Sequence, residues 1–137
     1  MTSTSVGITV VRPEDRDCNT AQTTGMQREA GVSRTTTGAQ TIWSGYVKTP
    51  PGVASGVHHH GDCESAIYII SGHVRFTWGD KLEHSAEVSA GDFLFVPPNE
   101  VHMEENLSDT EPVELLVSRG CTEMLVVNMP DPRLQAG

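Results

Sequence analysis

No run of apolar residues in this chain approaches the roughly 20 needed to cross a bilayer as a helix. The first residues carry no basic n-region, and the stretch Val6 to Val11 is too short and polar for a signal peptide core. Basic residues are scarce: 9 Lys and Arg stand against 18 Asp and Glu, a formal charge of −9. Those few are dispersed. Nucleic acid and anionic membranes demand clustered Lys and Arg, so neither is expected as a partner. Cys18, Cys63 and Cys121 are odd in number and far apart, which argues against a disulfide framework and for a reducing compartment. A soluble cytoplasmic protein of one domain is expected from these absences and from a length of 137 residues.

Helical periodicity is also nearly absent. Short runs rich in Val, Ile, Thr and aromatics alternate with Gly, Pro, Asn and Asp, the pattern of an all-β sandwich or barrel. Strands are expected over 6–11, 40–48, 55–60, 65–71, 73–78, 85–88, 93–96, 100–105, 112–119 and 123–128. Residues 1–34 read as an irregular N-terminal leader, 35–129 as the barrel and 130–137 as a loose tail. Ile67-Tyr68-Ile69-Ile70 and Phe93-Leu94-Phe95-Val96 are apolar at every position, so both faces of these strands should be covered. A second subunit is the favoured cover, giving a homodimer.

What is present is histidine, six in all, with three together at His58, His59 and His60 and another at His102. Imidazole and carboxylate hold borderline divalent metals. His58 and His60 are two apart, so on a strand they share a face. Glu64 falls just after them and His102 is placed to arrive on a second strand. His58, His60, Glu64 and His102 are therefore the expected ligands of one divalent transition metal per chain, with His59 turned away. Closed structural zinc sites usually rely on cysteine, and no Cys-x-x-Cys pair exists here. Such a set leaves coordination positions open to water or substrate. Fe or Mn is the first choice, with Ni, Zn, Co or Cu also compatible with nitrogen and oxygen ligands.

The spacing resembles the two motifs of the cupin superfamily, Gly-x5-His-x-His-x3/4-Glu-x6-Gly and Gly-x5-Pro-x-Gly-x2-His-x3-Asn. The first is met by Gly52, His58, His60, Glu64 and Gly72, with seven residues rather than six before the last glycine. The second is met by Gly91, Pro97, His102 and Asn106, with Asn99 replacing a glycine. Asn tolerates the left-handed backbone better than most residues. The resemblance implies an all-β fold, the cupin double-stranded β-helix or jelly-roll barrel, similar to the small single-domain RmlC-like members. It also supports the same four residues as metal ligands.

Other side chains carry weaker signals. Continuing the parity of Glu64 along its strand puts Ala66 and Tyr68 on the cavity face, where the Tyr68 hydroxyl would handle a proton or orient a ligand. Glu104 shares the parity of His102 and is a candidate hydrogen-bond partner or general base. Arg28, Trp43 and Tyr46 precede the first motif and are candidates for the pocket mouth. Cys63 reads as a buried inert thiol, and His73, Arg75 and His84 as surface residues. With the open metal site, the resemblance implies a metal-dependent enzyme acting on a small oxygenated molecule, first a dioxygenase-type oxidoreductase, with Tyr68 and Glu104 as candidate catalytic residues. The alternatives are a metal-dependent isomerase or a lyase such as a decarboxylase, and a module that binds a small molecule without turnover.

Overall fold

The computed structural model describes residues 7–121 and 125–134. Ten strands follow one another: β1 (Gln27–Val32), β2 (Trp43–Thr49), β3 (Val57–His59), β4 (Ser65–Ser71), β5 (His73–Trp78), β6 (His84–Ser89), β7 (Phe93–Val96), β8 (His102–Asn106), β9 (Val113–Arg119) and β10 (Val127–Met129). A four-residue helix, α1 (Arg34–Thr37), separates β1 from β2 and is capped by Ser33 and Thr36. Two antiparallel five-stranded sheets result, ordered β1-β2-β9-β4-β7 and β10-β3-β8-β5-β6. They are called here the first and the second sheet. This is the expected all-β jelly roll. No described helix is long and apolar enough to cross a membrane.

The sheets face each other across an interior built by period-two alternation. On β9, Val113, Leu115, Val117 and Arg119 are buried while Leu116 and Ser118 are exposed. On β4 the buried set is Ser65, Ile67 and Ile69. Ile69 and Leu115 are almost wholly buried, each stabilising the fold by roughly 1.5–3 kcal/mol relative to exposure. Apolar side chains thus fill most of the interior along these two strands, and the paired Ser65 and Arg119 stand at one end of it.

Three expectations are corrected. The segment read as an irregular leader supplies β1, which pairs with β2 along its length. Its sequence, Gln-Arg-Glu-Ala-Gly-Val, lacks a β-rich signature, and it is held by pairing rather than by propensity. No strand forms over 7–11. Cys63 is not a free thiol: it is bonded to Cys121, with a Cα separation of 6.0 Å, joining the start of β4 to the end of β9. Fifty-eight residues separate the two in sequence, so their adjacency is visible only once β4 and β9 are paired. Residues 1–6, 122–124 and 135–137, which hold part of the expected leader, the first two residues of the strand expected over 123–128 and the last three of the tail, lie outside the described residues.

Candidate metal centre

β3 and β8 are neighbours, and the Cα of His58 lies opposite that of His102. His60 follows β3 directly, on the same side as His58. All three imidazoles are buried, at 1%, 4% and 4% exposure for His58, His60 and His102. Their ring centroids are 4.3 to 5.3 Å apart, and one ring nitrogen from each lies within 4.8 Å of the others.

Each ring is oriented by a backbone carbonyl. His58 Nδ1 donates to Gly56 O, His60 Nδ1 to Leu125 O and His102 Nδ1 to Glu100 O, all at 2.8 Å. A carbonyl only accepts, so each Nδ1 carries the proton and each Nε2 keeps its lone pair. Burial pushes all three far below the usual imidazole value, to about 3 for His58, about 2 for His60 and about 4 for His102. Repulsion from Arg119 acts in the same direction on each. Three neutral, buried, pre-oriented imidazoles fit a borderline divalent cation.

Glu64 does not join them. It is exposed, and so lies outside the group of three. Tyr68 is likewise turned to the outer face, where its ring packs 4.8 Å from that of exposed Phe93. Both expectations carried strand parity across Gly61 and Asp62. There the chain turns, with Gly61 at φ +62°, and β4 restarts with Ser65, Ile67 and Ile69 inward. His59, expected to face away, is half-buried and accepts a hydrogen bond from Gly61 N. Asn99 adopts φ +60° as the second motif requires, and its N–H donates to Gly61 O at 2.7 Å.

Glu104 faces inward with His102 and is 4% exposed. Its Oε2 has no hydrogen-bond partner among the described residues. Burial raises its carboxyl to about 7, against the opposing pull of Arg28 and Arg119. Both arginines enter from the first sheet, Arg28 on β1 and Arg119 at the end of β9, and both are buried. Burial lowers Arg28 to about 10 and Arg119 to about 9, so both remain cationic at neutral pH. Arg28 Nη1 donates to Ala21 O and Thr23 Oγ1. Arg119 sits 5.7 Å above the Trp43 ring. Arg119 closes the strand expected over 112–119 and was not among the expected site residues. The signal for it was the alternation Val113, Leu115, Val117, which continues onto it.

A cleft of about 320 Å³ opens between the free edges of the two sheets, β6 and β7, and reaches His102. Trp78, whose Cα pairs with that of His102, lines it.

The family model described as "Cupin domain" matches residues 45–119. Among curated proteins none matches the chain. Among solved structures, oxalate decarboxylase from Bacillus subtilis, studied for its Mn(II) centres, is similar at 27% identity and a TM-score of 0.68. The alignment covers 79% of this chain and 29% of that one. The formate complex of Lactobacillus farciminis oxalate decarboxylase superposes with a TM-score of 0.71 at 21% identity, covering 82% and 34% of the two chains. The second likeness is one of fold alone. This chain spans about a third of the length of the decarboxylases it resembles. With the jelly roll, the histidines of both motifs gathered in one group and a family match over more than half of its length, the chain belongs to the cupin family.

Proposed function

We propose that this cupin is a metal-dependent lyase that removes carbon dioxide from a small oxygenated acid bound at His58, His60 and His102. The observation that carries the reading is the pinning of three neutral imidazoles by three backbone carbonyls, an investment in ring orientation that packing does not require. A divalent metal such as Mn, held there, would polarise the oxygens of the bound acid. Three protein ligands is the number usual at catalytic centres that keep a position for substrate. Likeness to decarboxylases favours a lyase over the dioxygenase expected first.

Decarboxylation breaks the bond between the carboxylate carbon and its neighbour, leaves the electron pair on the neighbour, and requires one proton there. No oxidant is consumed. Glu104 would hold that proton, a role supported by its burial, its inward direction beside His102 and an oxygen without a hydrogen-bond partner among the described residues. Tyr68, on the outer face, has no part in this step.

Manganese-loaded protein incubated with oxalate and with 2-oxo acids should release carbon dioxide without net oxygen uptake. Oxygen consumed in proportion to substrate would return the site to the oxidoreductases. A tightly held acid with no turnover would make it a binding module. We also propose a homodimer, supported by the exposed apolar side chains of Ile70, Phe93, Phe95 and Leu116 on the first sheet.

A further inference from the structure

We propose that the acid taken by this site carries an apolar body, aromatic or branched, that lies in the cleft between β6 and β7 while its carboxylate end reaches His102. This names the substrate class of the lyase reading above and rests on it.

The cleft walls are hydrocarbon. Phe76, Trp78 and Val88 form one side, and Leu94 and Val96 the other. The ionisable lining residues are buried His102 and half-buried Glu100, whose carbonyl holds the His102 ring. Trp78, Val88 and Leu94 pack on the main core yet are only partly buried, so apolar surface faces water where a guest would sit. A volume of about 320 Å³ lies within the range of sites that enclose whole small molecules, with apolar walls and a few convergent polar groups. Oxalate is two carboxylates and nothing else. It would satisfy the histidine end and leave those walls wet.

The charge of the interior selects an anionic end. Arg28 and Arg119 project inward from the first sheet, and Glu104 is the carboxylate that faces them from the second. The buried interior thus holds two guanidinium groups against one carboxyl group, and an excess of cationic side chains in low dielectric is stabilised by an anion.

The test is calorimetric titration of manganese-loaded, full-length protein with phenylglyoxylate and with oxalate, repeated on Ala86→Trp. Ala86 is exposed on β6 and lines the cleft, so the indole should fill it without disturbing the core. Phenylglyoxylate should bind at least about tenfold more tightly than oxalate, the return expected from burying a phenyl ring. Ala86→Trp should remove that advantage while manganese content stays unchanged. Val88→Phe serves the same purpose if the first variant does not fold. Equal or tighter binding of oxalate, or indifference of phenylglyoxylate to both substitutions, overturns the proposal. So does conversion of a dimer to a monomer by Ala86→Trp with phenylglyoxylate binding intact, which would give the cleft to a second copy. Cleft-dependent binding without carbon dioxide release would defeat the lyase reading and leave this inference standing. Turnover of oxalate with no affinity for phenylglyoxylate would do the reverse.

Discussion

His59 and His60 are adjacent in sequence and have opposite roles, which strand parity alone decides. His60 turns inward beside His58, and His59 only steadies the Gly61 turn. Their burial also fixes a pH dependence. The folded imidazoles of His58, His60 and His102 lie well below their unfolded values, so the unfolded chain binds more protons below about pH 6.5. Their contribution to stability is present above that value and is lost as the pH falls. Glu104 is raised instead, so its contribution is lost as the pH rises towards about 7. Three groups outweigh one. Urea unfolding of metal-free protein should show lower stability near pH 5 than near pH 7; equal or greater stability in acid would contradict the burial of the three rings. These histidines were legible because two-residue spacing on a strand and a second motif both point to them. Glu64 and Tyr68 were misplaced because parity does not survive the turn at Gly61 and Asp62, and nothing in the local sequence says which face the next strand presents.

Elements are joined here by devices that spacing does not reveal. The Cys63–Cys121 disulfide closes β4 against β9 at the end of the barrel where Arg119 sits. Cross-linking residues 58 apart restricts the unfolded chain, so Cys63→Ser should lower the unfolding free energy by about 2–4 kcal/mol in denaturant titration. A change well below 1 kcal/mol would show that the bond does not persist in solution. Odd cysteine number and wide spacing pointed away from this pairing, because long-range strand order was not available from composition. Asn106 illustrates the opposite case. The family motif marked it, and its side-chain amide donates to Thr49 O, Pro50 O and Glu111 O, tying the start of two loops to β8. β1 was missed for a third reason: Arg28 and Ala30 alternate inward, but a polar strand of six residues gives too weak a pattern beside its glycine.

At the scale of the whole molecule, the first sheet has a covered inner face and an outer face that is unusually apolar. Phe93 is 76% exposed and Phe95 62%, and Ile70 and Leu116 stand near them. The uninterrupted apolar runs in the sequence thus leave large apolar side chains exposed on this face among the described residues. Sedimentation should find a dimer that Ile70→Glu converts to a monomer, since a buried carboxylate at an apolar interface is strongly unfavourable. A monomeric wild-type chain would leave the patch to another partner. The barrel as a whole was readable from turn spacing and motif, whereas the cleft was not, because it arises where the free edges of two different sheets approach.

The central claim is that three neutral imidazoles form a divalent metal centre, and metal content tests it most directly. Protein purified without a histidine tag and loaded with Mn(II) should hold about one ion per chain by elemental analysis, the stoichiometry of a single three-imidazole site. His102→Ala should abolish this while the far-ultraviolet spectrum of the β fold is retained, and Glu64→Ala should leave it unchanged. Metal retained in His102→Ala, or lost in Glu64→Ala, would contradict the account.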